Sequence, residues 1–597
     1  YTDMWNITVQ SATNVHMFDG QILTGSIVGG NYQGGNFWYN FNGTVPYNDD
    51  GMIEYGGDYE PLNLIDLKPA NSVTLNGNVP YLMTSPMSPY FHDYLTPQEF
   101  MADYYPSESQ IMQVEAYYSN MGFKVWSYSY APLVIVLHGT VGMFERAFGT
   151  VLFNYECTYP GGSGAVFMTN TANPYIPAQF SGLIMHVYGL SYSSEALLSI
   201  KNRQDIKTEI SNTALVPTSG IKGSSGLLTP VHLAEFYNVT GLENMGFTGH
   251  GIKIGILGVG ESANMSAISM FWDEYGIHNP QVVFVNLTPN GKNPYPEGVE
   301  ADLDVEWSGA MAPNATIYDV MQPFNLTGIG DNAVNLEIYY MLNVIHPQII
   351  SGSWAELQFH HDAGFAQIYN LIGLQAAAEG TTIFLGSADS HSIYYLTVMA
   401  SEYIVSVGGV YPVLNQSGYI VGQYAWYQPE FSWYGGPVGS GGGNSFFFAR
   451  PTYQSSELIV VPSTFTNRGQ PDIAMPAAKM VFAFKHYFGV AGGTSFATPI
   501  SAGIFADIES AFVYADGSVG YFGWIQPALY DLGYGNEFGL PAYYMVNYVQ
   551  PYPNMVGNGY LGQGWNDFVG IGSFNAFNMT VDLENYYLYT MLIAYGL

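Results

Sequence analysis

The sequence predicts a doubly wound α/β domain with a mostly parallel sheet over residues 227–597, preceded by an α+β domain and a β-rich N-terminal segment. Short apolar runs at 253–257, 282–285, 316–320, 348–351, 382–385 and 403–407 alternate with helical patterns, the signature of βαβ units. Residues 95–199 mix helical patterns, the first with a capped start, with strand-like runs, a pattern for a compact α+β domain of ferredoxin-like type. Residues 1–87 are rich in Gly, Asn and Tyr with alternating apolar positions, which reads as short strands and turns.

Within the second of these regions, Thr96-Pro97-Gln98-Glu99 is a helix start, with Thr96 as N-cap and Glu99 three residues on. A second helix is expected over 107–121, strands at 124–130 and 133–138, and a helix over 141–148. The domain is assigned to residues 88–199. Residues 200–226 are polar and hold Lys201, Arg203, Lys207 and Lys222, as expected of an exposed linker.

With 597 residues the chain exceeds one ordinary domain, and its 48% hydrophobic content supports a sizeable core. Charged residues make up only 10%, against about 25% in an average soluble protein. The formal charge of −34 comes from a shortage of base: 47 Asp and Glu are ordinary for this length, and 13 Lys and Arg are few. A chain that sheds ions of both signs suits an acidic medium, where carboxylates protonate and ion pairs fail. No basic patch is present to neutralise phosphates, which excludes nucleic acid as a partner.

Cys157 is the only cysteine, so no intrachain disulfide forms. Nine Asn-x-Ser/Thr triplets, at Asn6, Asn42, Asn238, Asn264, Asn286, Asn314, Asn325, Asn415 and Asn578, point to export and glycosylation. Tyr1 stands where Met would open a nascent chain, as expected once a leader has been removed. No apolar run is long enough to span a membrane. The expected setting is extracellular or cell-surface, acidic and hot.

The strongest chemical motif is Gly492-Gly493-Thr494-Ser495-Phe496-Ala497-Thr498-Pro499. A tight turn into a helix lifts Ser495 to the helix N-terminus, where free N–H groups and the macrodipole favour negative charge. The alternative is a capping serine and nothing more. A nucleophile needs a base. His138-Gly139-Thr140 looks like a subtilisin histidine motif, but it lies in the wrong domain, and Gly258 occupies the position of the subtilisin aspartate. Gly249-x-Gly251 lacks dinucleotide-site spacing.

Another base lies in Glu300-Ala301-Asp302-Leu303-Asp304-Val305-Glu306-Trp307. On a helix, Glu300 and Asp304 share a face; so do Asp302 and Glu306, and Glu297 is near. Two carboxyls held together cannot both ionise easily, and one works as a base at a pH where histidine is already protonated. A solvated acidic helix is the plain alternative. Asp389, in Ser387-Ala388-Asp389-Ser390-His391 after the 382–385 strand, stands where open α/β sheets carry function. Protonated, it can donate to an oxyanion.

Together, in this chain order, these motifs resemble the sedolisin family of serine-carboxyl peptidases, with its E-x-x-x-D, S-G-D-S-G-like and S/G-G-T-S-x-x-x-P patterns. The segments 350–354 (I-S-G-S-W), 468–474 (R-G-Q-P-D-I-A) and 228–237 (L-T-P-V-H-L-A-E-F-Y) are close to family patterns too. Leu95-Thr96-Pro97-Gln98-Glu99-Phe100 and the run from Gly139 to Thr150 look like a kumamolisin-type activation domain. The resemblance implies a subtilisin-like catalytic domain, with Ser495 as nucleophile, Glu300 as base, Asp304 as its tuning partner and Asp389 in the oxyanion hole. His138 then has no catalytic role. Ala388 and His391 replace two family glycines.

The family's calcium site would fall on Asn547, Tyr548, Gly562, Gly564 and Asn566, with Asn at both usual Asp positions and Asp567 nearby; loss of two charges weakens calcium binding. The expected protein is a secreted proenzyme, inhibited by its own activation domain and cleaved between 200 and 226, that hydrolyses proteins or peptides in acid. A tripeptidyl-peptidase of the same family is one alternative. A catalytically idle cell-surface or assembly component is another.

Overall fold

The computed structural model describes residues 14–18, 21–25, 62–67, 79–157, 165–190, 192–193, 226–278, 280–287, 297–322, 330–354, 363–389, 391, 401–433, 436–455, 466–512, 520–533, 542–544 and 565–595. The linker expected at 200–226 lies outside them except for Gly226. The chain clusters into two units: Tyr1–Ala70 with Tyr105–Glu209 and Phe324–Asp331, and Asn71–Tyr104 with Ile210–Pro323 and Asn332–Leu597.

In the first unit, strands β1 (Leu62–Leu67), β2 (Lys124–Tyr128), β3 (Ala131–His138) and β4 (Ile184–Tyr188) form an antiparallel sheet in the order β2-β3-β1-β4. Helix α1 (Glu108–Asn120) connects β1 to β2, and α2 (Val141–Phe148) follows β3. This βαββαβ order is ferredoxin-like. Ser107 and Gln110 close a capping box on α1, and Gly149 ends α2 in the left-handed conformation, as the local sequence dictates. Tyr118, Phe123, Phe144 and Phe148 form its aromatic core. His138 ends β3, beside Leu62 and Lys124.

The boundary expected after residue 87 is corrected here. Strand β1 is a central strand of this sheet, so the domain begins before residue 65, although its partners lie about 70 residues and more further along the chain. The helix at Pro97–Tyr104, capped by Thr96 and Glu99 as expected, clusters with the second unit. There Leu95 N–H donates to Ala378 O at 3.0 Å, and Tyr94 Oη donates to Phe522 O at 2.9 Å.

The second unit is built on β5 (Lys253–Leu257), β6 (Gln281–Asn286), β7 (Thr316–Met321), β8 (Ile349–Gly352), β9 (Thr382–Gly386), β10 (Ile404–Leu414), β11 (Ile420–Ala425) and β12 (Ile473–Pro476). The order is β6-β7-β5-β8-β9-β10-β11, with β12 parallel to β10 and only β11 antiparallel. Helices α3 (Met265–Tyr275), α4 (Val299–Met311), α5 (Gly330–Tyr340), α6 (Ala363–Ala378) and α7 (Thr494–Ser510) connect or cover the strands. Strands β8 and β9 are buried along their whole length, which accounts for their uninterrupted apolar runs.

Helices α4 and α7 pack closely because Gly503 has no side chain: a Cβ there would lie 2.6 Å from Ser308 O and 2.7 Å from Met311 Cβ. Ser308 is eight residues after Glu300, and Gly503 eight after Ser495. A second contact lies near the two helix starts, where Ser353 Oγ meets both Asp304 Oδ1 and Ser495 O, so the helices run in the same direction and both N-termini meet at one end, about 12 Å of helical rise from the Gly503 contact.

Candidate active site

Ser495 is the second residue of α7, after the N-cap Gly493, and is partly exposed. N–H groups in a helix's first turn have no intrahelical acceptor. That of Thr494 donates to Asp389 Oδ1 at 2.7 Å, and the Thr494 hydroxyl donates to the same oxygen at 2.8 Å. Asp389 thus caps the helix that carries Ser495. Its other oxygen, Oδ2, would lie 3.2 Å from a Cβ on Gly493, which would itself be 3.4 Å from Ser495 Cβ. Glycine at 493 keeps this space open. Burial raises the Asp389 carboxyl to about 6, against the lowering effect of the two Thr494 bonds. Below that pH it holds a proton, and since Oδ1 already accepts twice, the proton belongs on Oδ2, facing the Ser495 side.

The turn around Asp389 keeps its shape without the family glycines. Ala388 has φ 81° and His391 φ 44°, both left-handed. Each costs of order 1 kcal/mol for a residue with a Cβ. Hydrogen bonds hold the turn in place: Gly441 N–H donates to Ala388 O at 2.8 Å, Gly439 N–H to Asp389 O at 2.9 Å, and His391 N–H to Gly439 O at 2.9 Å.

On α4 the two competing carboxyl pairs separate by environment. Glu306 is fully buried and accepts Ala483 N–H, and Asp302 Oδ1 accepts Asn264 N–H at 2.7 Å; both are tied to backbone. Glu300 is partly exposed in the first turn, and Asp304, fully buried, lies one turn behind it. Burial and then the Glu300 charge push Asp304 well above the usual carboxyl range; Ser353 opposes this, and Asp319 and Glu261 reinforce it.

The motif reading did not assign a role to Ser353. Its Oγ lies 2.6 Å from Asp304 Oδ1 and 3.0 Å from Ser495 O. Proline explains why that carbonyl is available. Pro499, four residues on in α7, has no N–H to donate to Ser495 O. A hydroxyl has one proton, so Ser353 donates to Ser495 O when Asp304 is protonated and to Asp304 when it is ionised. Ser353 is a positioning residue. Ser353→Ala is expected to lower kcat/KM about tenfold, the scale of one lost hydrogen bond, and to move the acid limb of the pH profile, with Ser353→Thr restoring both. A loss of KM alone with an unmoved profile would contradict this role.

Gly258, where a subtilisin carries aspartate, has no room for any side chain: a Cβ would lie 2.8 Å from Val320 O and 3.0 Å from Glu261 O. Of the residues proposed for calcium, Asn547, Tyr548, Gly562 and Gly564 lie outside the described residues. Asn566 is buried, and its Oδ1 accepts the N–H groups of Phe568 at 2.8 Å and Val569 at 2.9 Å. An oxygen engaged on both sides does not fit a calcium ligand, and no step is derived through the ion.

Residues 65–193 match the family model of the Pro-kumamolisin, activation domain. Kumamolisin of Bacillus sp. (strain MN-32) is 26% identical over 469 residues, covering 75% of this chain and 79% of its own. Sedolisin of Pseudomonas sp. (strain 101) is 25% identical over 524 residues, covering 82% and 80%. The structure of Pseudomonas sedolisin, a serine-carboxyl proteinase complexed with two molecules of pseudo-iodotyrostatin, superposes with a TM-score of 0.50 at 20% identity, covering 61% of this chain and 99% of that one, a likeness of fold. The protein is a serine-carboxyl peptidase, made with an activation domain. Its sequence is similar to sedolisin-family peptidases over three quarters or more of its length.

Proposed function

We propose that the protein is a secreted endopeptidase that works in acid, with Ser495 as nucleophile and Glu300 as the base that takes its proton. Asp304 keeps Glu300 from sharing a second negative charge, and Asp389 Oδ2 with the Ser495 N–H receives the oxyanion of the tetrahedral intermediate. Glu300 gives that proton to the leaving amine as the C–N bond breaks, and in deacylation it takes a proton from the attacking water and passes it to the departing Ser495 oxygen. The observation that carries this reading is the capping of α7 by Asp389, which aims a protonated carboxyl at the nucleophile's side of the turn.

An acidic, extracytoplasmic site of action is supported by the scarcity of Lys and Arg and by the exposed turn at Asn415, where the side-chain oxygen accepts from Ser417 and Tyr419. Among the described residues, Asn415 is the sequon best suited to carry a glycan. Asn264 and Asn314 have their amide groups engaged by Glu297 and Thr248. No helix among the described residues is long and apolar enough to cross a membrane.

The test is incubation at about pH 3 to 4 beside Ser495→Ala, following chain length and the products of an unfolded protein. Wild type should cut itself between residues 200 and 226 and release peptides of varied length, while the variant does neither. Tripeptides alone would mean a tripeptidyl-peptidase. No cleavage by wild type across the acidic range would leave a family member without activity.

A further inference from the structure

A second group of carboxyls lies beside the first turn of α4, and none of them is assigned a proton transfer or an oxyanion contact above. An open cavity of about 470 Å³ is walled by the loop 262–265 after β5, by β6 at Phe284, by β7 at Asp319 and Met321, and by Glu297. Most of the acidic groups around it have work to do. Glu297 accepts the Asn264 amide at 2.9 Å and the Lys485 N–H at 2.8 Å, and Asp319 Oδ2 accepts Ala263 N–H at 3.1 Å. Asp319 Oδ1 is different. Its side chain is 1% exposed, it lines the cavity, and this oxygen has no hydrogen-bond partner among the described residues.

A buried polar atom left without a partner is costly, and the cavity whose wall holds this carboxyl is where a partner would enter. Met265, Phe284 and Met321 make part of the wall apolar. An apolar wall ending in an acceptor suits a long aliphatic stem tipped with donors, the build of arginine and lysine. The geometry points to a subsite for a basic side chain of the peptide substrate, its guanidinium or ammonium donating to Asp319 Oδ1.

This rests on the peptidase reading, because the cavity is joined to the reacting groups through the start of α4. Ser262 and Glu297 form a backbone bridge, Gly298 N–H donates to Ser262 O at 3.2 Å, and Glu297 is three residues before Glu300. A peptide drawn up to Glu300 has a side chain within reach of this wall. The groups in whose field Asp319 lies are all acidic: Asp302 and Asp304 on α4, and Glu337 on α5. Glu297 acts on Asp302, and Glu261 on Asp304. Burial raises Asp319 to about 7, so the empty subsite is neutral in strong acid and gains charge toward neutrality. Preference for a basic side chain therefore grows with pH.

Two measurements on the full chain test the subsite. Peptides carrying arginine, isosteric neutral citrulline or norleucine at each position near the scissile bond are cleaved at pH 4 and pH 6 by wild type and by Asp319→Asn, which keeps an acceptor for Ala263 N–H. At one position arginine should exceed citrulline by about tenfold, more at pH 6 than at pH 4. Asp319→Asn should erase that ratio, while any change carried through Asp304 scales the arginine, citrulline and norleucine rates alike.

Separately, binding of n-butylguanidinium to the Ser495→Ala chain is followed by NMR at pH 6; it should saturate and be lost with Asp319→Asn. Saturable binding without cleavage of any peptide overturns the peptidase reading and leaves the cation site standing. Equal arginine and citrulline rates, or guanidinium binding that survives Asp319→Asn, overturns the subsite. If Asp319→Asn does not fold, the wild-type ratio at the two pH values still decides.

Discussion

Replacing Glu300 with glutamine is expected to lower kcat by about 10³-fold, the range of a lost general base, with KM nearly unchanged. The side chain keeps its size, and only its capacity to take the Ser495 proton is removed. Asp304→Asn should lower kcat as well, because it removes the neighbour whose shared negative charge sets when Glu300 ionises. Its distinguishing readout is the pH profile: with the pair uncoupled, the acid limb should move, whereas in Glu300→Gln the remaining activity should lose its dependence on that group. Initial rates against pH for both variants, with circular dichroism to verify folding, provide the test. Glu300→Gln activity near wild type would move the base elsewhere on α4, to the Asp302–Glu306 side.

Raising the pH from 4 to 8 is expected to destabilise the fold by several kcal/mol, the reverse of ordinary acid denaturation. The cause is the number of carboxyls buried with raised values: Asp389 to about 6, Asp319 to about 7, Asp302 to about 9, and Asp304, Glu306, Glu337, Asp507 and Glu509 well above the normal range, with burial the largest cause in each. A group with a raised folded-state value contributes fully below its unfolded value, near pH 4, and loses that contribution as pH rises through the folded value. The loss should therefore begin above about pH 4 and continue past neutrality.

For a carboxyl raised from 3.8 to about 7, as Asp319 is, the contribution lost is about 4 kcal/mol, a large share of a typical domain's stability. Only 13 Lys and Arg exist to compensate 47 acids. Asp507 and Glu509 on α7 isolate the effect, since both are fully buried and none of their four carboxyl oxygens has a partner among the described residues. Asp507→Asn and Glu509→Gln should leave the urea midpoint at pH 4 nearly unchanged and raise it at pH 7. A midpoint that is flat or rises from pH 4 to pH 7 in wild type would refute this account.

The placement of the candidate site's residues on helix starts was legible in the sequence because those are local signals. A Gly-Gly-Thr-Ser turn must start a helix, and Glu300 and Asp304 must share a face once that segment is helical. The parallel strands were legible because burial on both faces leaves continuous apolar runs, and the capped helix start at Thr96 because Glu99 stands three residues on. The acidic shift of the composition likewise needs no coordinates. What stayed out of reach depends on partners distant in sequence. β1 became part of the first sheet only through pairing with β3 and β4.

The choice between the two carboxyl pairs of α4 was not in the heptad of residues that carries them; it was made by Asn264 and Ala483, which occupy Asp302 and Glu306. Ser353 acquires its role from Pro499, since a missing N–H in one helix leaves a carbonyl for a hydroxyl more than a hundred residues away in sequence. Asp319 reads as an ordinary polar residue in a strand until the fold buries it in a cavity wall with one oxygen that has no hydrogen-bond partner among the described residues. Periodicity and turn chemistry determined which elements form and which side chains stand at the helix starts, because those are properties of a few neighbouring residues. Burial and the pairing of distant groups decided which carboxyls keep their protons, because desolvation exists only once the chain has closed around them.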